Sequence, residues 1–285
     1  MAKISVVAAV PTYNSGATIG RLLPELLEQG YDAIYVLDDG SSDDTIRVAK
    51  GFGPKVKVVK GEVNVGAGAN RNRIISQTSG SIIHFVDSDV KLLSKNTPDI
   101  IRGLNWQKNT AYFGGLLRNP NGEQNPYNFG PRPGLPTGIS SGFQYAIWML
   151  SCRSWLAAKI IHWPFGFYLR GWPNIFKPPK ARQTFWTPES NLIIKSDTFQ
   201  KIGGYDPRFR YGEVNDLALR FELAGYKTYF TPEIEVIHAT VDNIFLHKSD
   251  KRQSRRQLIK KYGRLMYYAP SVWKYLAKKR LVNVP

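Results

Sequence analysis

Four short apolar runs, each separated from the next by a helix-compatible stretch, fill the first ninety residues and leave few folds open. The first, residues 4–10, is β-branched and ends at Pro11 and the turn-like Asn14-Ser15-Gly16. Residues 17–28 follow with Ile19, Leu22, Leu23, Leu26 and Leu27 at helical spacing, and stop at Gly30. Residues 33–37 read as a buried strand closed by Asp38-Asp39-Gly40-Ser41-Ser42-Asp43, where Asp43 or Asp44 can cap a helix running to Lys50. Residues 56–59 form a third strand, 67–78 a helix, and 81–86 a fourth strand that runs directly into Asp87. Strands alternating with helices at this interval predict a parallel sheet with right-handed crossovers. Ligands of such sheets bind at the carboxyl ends of the strands. The polar loops after the first, second and fourth strands all fall on that edge.

The rest of the chain is of a different character. Residues 119–142 are rich in Pro and Gly and read as irregular; 143–172 hold nine aromatic residues; and no carboxylate occurs from Gln124 to Pro188. Residues 187–220 return to globular patterning, with Gly203-Gly204-Tyr205-Asp206 as a turn and Val236-Ile237-His238 as a later strand-like run. From Lys248 the sequence is basic and helix-compatible. This organisation predicts a domain over 1–247, made of a first α/β half (1–100), an irregular aromatic insertion (119–186) and a second globular half (187–247), then a basic helical tail over 248–285.

The formal net charge of +17 is concentrated in the middle segment and the tail, while the first hundred residues are balanced. Concentrated positive charge suits an anionic partner: nucleic acid, an acidic polymer or an anionic membrane face. No nucleic-acid motif accompanies it, and the cations are remote from the motif-bearing half, so no nucleic-acid partner is expected. Trp and Tyr interleaved with Arg153, Lys159 and Arg170 suit a membrane–water interface. Together with Lys251, Arg252, Arg255, Arg256, Lys260, Lys261, Arg264, Lys278, Lys279 and Arg280 they read equally as a docking face for anionic lipid, an aromatic subdomain core or a dimer interface. A single cysteine, Cys152, excludes an internal disulfide and fits a reducing compartment. No signal-peptide core and no apolar stretch long enough to span a bilayer is visible, which predicts a cytoplasmic protein, free or peripheral on the cytoplasmic face of a membrane.

Asp87-Ser88-Asp89 ends the fourth strand with two carboxylates at the ligand-binding edge. Such a pair presents hard oxygens to Mg²⁺ or Mn²⁺, although a strand ending in turn residues has the same pattern. Its neighbours narrow the choice. Val10-Pro11-Thr12-Tyr13-Asn14, Val36-Leu37-Asp38-Asp39-Gly40-Ser41-Ser42-Asp43, the segment from Asn64 through Gly66, Gly68 and Arg71 to Asn72, and Phe85-Val86-Asp87-Ser88-Asp89 occur in this order. Together they resemble the family 2 glycosyltransferases. The resemblance covers residues 4–90 well and resumes over 187–240.

The resemblance implies the GT-A fold, a Rossmann-like, mostly parallel sheet with flanking helices. It further implies a nucleotide-diphospho-sugar donor, usually a UDP-sugar, a Mn²⁺ or Mg²⁺ cofactor, and inversion at the anomeric carbon. Pro11, Thr12 and Tyr13 resemble the nucleobase wall, and Asp39, beside Asp38, the acceptor of the uracil N–H. Gly66 lets backbone approach the donor, Arg71 pairs a phosphate or a carboxylate, and Ser88 sits between the metal-binding Asp87 and Asp89. His238 matches the histidine that completes the metal and diphosphate site, and Trp186, Glu189 and Asn191 fall where the acceptor pocket is lined. The acceptor is expected to be lipid-linked or a cell-surface glycan. Gly212-Glu213-Val214-Asn215-Asp216-Leu217 departs from the family pattern, because Val214 stands where the base carboxylate is usual. Glu213 and Asp216 are three residues apart and share a helix face, so either can take the role, with Glu213 preferred. Asp216 pairing with Arg220 is the structural alternative. Rival readings are a sugar-nucleotide binder without transfer, a nucleotidyltransferase and a nucleic-acid binder.

Overall fold

The computed structural model describes residues 3–238 and 248–279. The expected boundary at 247/248 is therefore described on one side only, and Arg280 lies outside the described residues. Strands β1 (Val6–Thr12), β2 (Ala33–Asp38), β3 (Val56–Lys60) and β4 (Ile82–Val86) are mutually parallel in the order β3-β2-β1-β4. Both faces are covered, so these strands are apolar throughout rather than alternating. Val6, Ala8 and Val10 meet Ile19, Leu22, Leu23 and Leu26 of helix α1 (Gly16–Glu28) on one face. Val7 and Ala9 join a second cluster on the other. The expected helix over 67–78 is a short α3 (Ala67–Arg71) followed by a 3₁₀ segment (Asn72–Gln77). There the Asn72 side chain both donates to Tyr205 O (2.8 Å) and accepts from Tyr205 N (2.7 Å), tying this turn to the second half of the chain.

The sheet continues past the parallel part with mixed direction. A short β5 (Val90–Leu92) follows Asp89, and β6 (Thr110–Arg118) comes after it in the chain. Strand β8 (Asn191–Lys195) is antiparallel between β4 and β6, β9 (Lys227–His238) runs parallel to β6, and β5 and β7 (Arg182–Thr184) both pair antiparallel with β9. Helix α8 (Glu213–Leu223) packs Val214, Leu217 and Phe221 into the second core cluster.

The aromatic insertion is not irregular throughout. Residues 135–165 form two packed helices, α5 (Leu135–Ser151) and α6 (Trp155–Phe165). Apolar residues surround both helices, which hides the amphipathic period in the sequence. Buried Gln144 fastens α5 by donating to Pro126 O and Pro173 O. The tail forms α9 (Lys248–Tyr262), α10 (Arg264–Tyr268) and α11 (Pro270–Lys278). It packs on the sheet domain: Leu258, Tyr262, Met266, Trp273 and Ala277 bury against Phe209 and Leu219.

Candidate active site

Strands β1, β2 and β4 each end in residues that line or shape one depression. At the end of β1, Pro11, Thr12 and half-exposed Tyr13 form a wall, and Asn14 Oδ1 accepts from Ser42 N (2.9 Å), locking the first loop to the second. At the end of β2 the two aspartates divide. Asp38 is fully buried and its Oδ2 accepts from Gly40 N (3.2 Å) and Ser41 N (3.1 Å). It closes the turn and does not line the depression, which corrects its expected place in donor binding. Asp39 does line it, while accepting from Val65 N (3.1 Å) and Gly66 N (2.9 Å). A carboxylate has about four acceptor sites, so these bonds orient Asp39 without exhausting it. Gly66 has φ +95°, a conformation that costs a glycine little.

Strand β4 delivers Asp87, Ser88 and Asp89, and Ser88 Oγ donates to Ser15 Oγ (3.1 Å). The chain then reverses into β5, whose Val90 pairs in register with His238 on β9. That register brings the imidazole to the carboxylates: His238 Nε2 is 3.7 Å from Asp87 Oδ2 and 3.5 Å from Asp89 Oδ1. The three possible ligand atoms lie within 4.8 Å of one another, and two hard oxygens with one imidazole nitrogen suit Mn²⁺ or Mg²⁺. Arg71, only 4% exposed, binds Asp87 Oδ1 at 2.7 Å and lies 5.9 Å over the Tyr205 ring. Burial works to raise the Asp87 carboxyl, but Arg71 and His238 outweigh it and hold the group below the usual aspartate range. Pro11, Thr12, Tyr13, Asp39, Gly66, Arg71, Asp87, Ser88, Asp89 and His238 together line one open cavity of about 450 Å³. Ser15, Asn64 and Asn70 also line it and were not singled out from the sequence.

The acceptor-side expectations fare differently. Asn191 is buried: its Nδ2 donates to Leu116 O (3.3 Å) and Ile234 O (3.1 Å), leaving Oδ1 to accept from His84 Nε2 (2.8 Å). His84 Nδ1 then accepts from the Tyr31 hydroxyl (2.6 Å), and burial pushes this neutral imidazole down to about 4. Asn191 thus holds strands together and does not line an acceptor pocket. Trp186 donates from Nε1 to Pro131 O (3.1 Å) and lies across Gly130, where a Cβ would come within 2.5 Å of the ring. It fills the seam between sheet and insertion.

Asp216 does not line this cavity. It is fully buried and accepts from Arg220 Nε (2.8 Å), Lys261 Nζ (2.6 Å) and the Tyr262 hydroxyl (2.7 Å). Three donors, two of them cations, take up most of its acceptor sites and favour a structural role. Val214 turns into the core, so no carboxylate stands at that position. Glu213 begins α8 and packs its Cγ where a Cβ on Gly68 would lie, at 3.0 Å. It packs against Gly68, the neighbour of cavity-lining Ala67, and burial raises its carboxyl above the usual range.

Glu189 is the other carboxyl at this depth. Its Oε1 is buried without a hydrogen-bond partner, and burial, reinforced by the charge of Glu213, pushes the group up to about 8. The folded state therefore holds a proton that the unfolded chain releases near 4.3. The contribution of this group to stability is full below about pH 4 and is lost as pH rises toward 8. Glu189→Gln should flatten this slope and raise Tm at pH 8 by a few degrees, measured by calorimetry on metal-free protein; an unchanged slope would refute the assignment.

Residues 7–149, half of the chain, match the family model described as glycosyl transferase family 2. The N-acetylglucosaminyl-diphospho-decaprenol L-rhamnosyltransferase of Mycobacterium tuberculosis (strain CDC 1551 / Oshkosh) is 27% identical over 253 residues, which span 84% of this chain and 76% of that protein. The UDP-Glc:alpha-D-GlcNAc-diphosphoundecaprenol beta-1,3-glucosyltransferase WfgD of Escherichia coli is 35% identical over 83 residues, 28% of this chain and 33% of that one. The structure of GalNAc-T7 with UDP, GalNAc and Mn²⁺ shares the fold, with a TM-score of 0.62 at 13% identity, over 99% of this chain and 55% of that protein.

Proposed function

Since the chain belongs to glycosyl transferase family 2 and has the GT-A fold, making it a glycosyltransferase, we propose that it moves a sugar from a UDP-sugar to a hydroxyl of a lipid-linked saccharide. One observation carries the donor side: Asp87, Asp89 and His238 converge in the cavity walled by Pro11, Thr12, Tyr13 and Asp39. Asp39 selects uracil by accepting its imide N–H, which cytosine lacks. A divalent cation held by Asp87, Asp89 and His238 supplies positive charge to the donor diphosphate. The acceptor class rests on the relatives, whose names specify polyprenyl-diphospho-linked saccharides. Among the described residues no helix is long and apolar enough to cross a membrane, and we place the enzyme at the cytoplasmic membrane face as a peripheral protein.

In the proposed chemistry the acceptor hydroxyl oxygen attacks the anomeric carbon as the bond from that carbon to the diphosphate oxygen breaks, with inversion. Glu213 takes the hydroxyl proton, since Asp216 is held by Lys261, Arg220 and Tyr262 and Val214 has no carboxylate. Its raised pKa strengthens it as a base and moves the acidic limb of the kcat profile above the ordinary glutamate value, because only the deprotonated form acts. Glu213→Gln should lower kcat by about 10²–10⁴-fold, with KM for the donor little changed. The pH profile of Glu213→Asp, still active, should keep an acidic limb.

The test is a panel of sugar nucleotides with Mn²⁺ and a short-chain prenyl-diphospho-saccharide, read by release of nucleoside diphosphate and by thermal shift. No shift and no release with any of them would end the proposal. The Val214 position favours a second reading, a sugar-nucleotide binder without transfer. Under that reading the donor shifts Tm but no product forms.

A further inference from the structure

Helix α6 and the turn after it carry an apolar stripe that is left exposed among the described residues. Leu156, Ile160, Trp163 and Phe167 recur at four-, three- and four-residue steps, one helical face, and are 64, 61, 86 and 66% exposed. Leu135 and Ile139 on α5 add 44 and 58% exposed side chains. Scattered exposed leucines are ordinary on a protein surface, but a contiguous stripe of this size marks a contact face.

The surroundings of the stripe are cationic. Lys159 lies 4.7 Å over the Trp155 ring and Arg170 lies 4.5 Å over Phe167, and residues 124–188 contain no carboxylate. The start of α5 meets α10, where a Cβ on Gly134 would stand 3.0 Å from Tyr267 O. On the far side of that contact, Arg255 stacks on Tyr267 at 4.8 Å and donates to the Tyr268 hydroxyl. Arg252, Arg255, Arg256, Lys260 and Arg264 line an open depression there with no acid among its walls. A protein partner would offer its own mixed charges, whereas an apolar stripe beside an excess of cations matches the layered chemistry of an anionic bilayer: hydrocarbon below, phosphate above. Lys261, expected to join this surface, is instead held by Asp206 and Asp216.

We propose that α6, the start of α5 and the Arg252–Arg264 depression form a platform that docks on an anionic lipid monolayer, with the α6 stripe in the interface and the arginines on headgroup phosphates. The same hairpin packs beside a strand that is paired to the one carrying His238. Trp148 and Trp155 share a cavity of about 340 Å³ with Arg118, which pairs in register with Ile237, the neighbour of His238. Docking therefore sets the catalytic edge beside the membrane, and this purpose rests on the lipid-linked acceptor proposed above.

The test uses the full chain in flotation with vesicles of phosphatidylcholine alone and of phosphatidylcholine mixed with phosphatidylglycerol. The protein should float with the mixed vesicles and lose that binding in high salt. Leu156→Glu/Trp163→Glu should lower partitioning at least tenfold, and Arg252→Glu/Arg256→Glu should do so on the anionic vesicles by on the order of tenfold. Both variants should keep the nucleotide-dependent thermal shift, which shows an intact fold and separates failure here from failure of the donor reading. Turnover of a vesicle-borne acceptor should fall in both, while turnover of a short-chain soluble acceptor holds. Absence of wild-type flotation, or variants that float like the wild type, would overturn the proposal. A wild-type dimer that Leu156→Glu/Trp163→Glu converts to monomer, without any vesicle binding, would assign the stripe to contact between copies and overturn it too.

Discussion

Asp89→Ala should reduce nucleoside diphosphate release by on the order of 10³-fold, the loss that follows when several kcal/mol of charge stabilisation disappear from a transition state. Asp89, Asp87 and His238 offer three ligand atoms within 4.8 Å, and removing one leaves an incomplete set. Asp89 is the cleaner substitution. Asp87 is also the partner of Arg71 at 2.7 Å, so Asp87→Ala strands a guanidinium that is 4% exposed and mixes a folding loss with a catalytic one. Calorimetric titration with Mn²⁺ should show the wild-type binding heat weakened at least tenfold in Asp89→Ala. Chelation should silence the wild type reversibly and change the variant little. Turnover in Asp89→Ala within about threefold of wild type would remove the cation from the proposed chemistry.

The donor edge was legible in the sequence because short-range signals built it. Apolar strands, their helices and the polar loops between them are local, and a parallel sheet puts the ends of those strands on one edge. Asp38 and Asp39 illustrate the limit: adjacent in sequence, one turns inward to cap Gly40 and Ser41 and the other lines the cavity. Which of them does which depends on side-chain alternation at the strand end, and a single residue of register reverses it. The fate of Asn191 was also not local, since its partners Leu116, Ile234 and His84 come from three other strands. The α5–α6 hairpin gave no clear core-facing pattern because the helical-step apolar residues of α6, Leu156, Ile160 and Trp163, lie on its exposed face. Lys261 and Tyr262 read as part of a solvated basic helix, and nothing in the tail indicates that two of its side chains reach a carboxylate 45 residues and more away.

That long-range contact yields the largest stability effect expected here. Asp216→Ala removes an acid that is fully buried, leaves Arg220 (15% exposed) without its carboxylate and leaves Lys261 (8% exposed) with Asp206 as its remaining counter-charge. Breaking one side of such a buried arrangement costs about 3–5 kcal/mol. For a domain of this size that corresponds to a fall in Tm of roughly 10 °C, measured by calorimetry at pH 7. The double variant Asp216→Ala/Lys261→Met should recover part of the loss, because it removes a buried ammonium that has lost one of its two carboxylates. Arg220 also donates to Ile202 O and Gly204 O at 2.7 Å, and Gly204 precedes Tyr205, the ring under Arg71. Loosening Arg220 therefore reaches the cavity only through several contacts, and well below the variant's Tm kcat should stay within about tenfold of wild type. A catalytic base behaves in the opposite way, losing about 10²–10⁴-fold in kcat with the fold intact. Tm unchanged and kcat collapsed in Asp216→Ala would return Asp216 to the chemistry; Tm collapsed and kcat preserved leaves Glu213 as the base and makes the C-terminal helix a brace for α8.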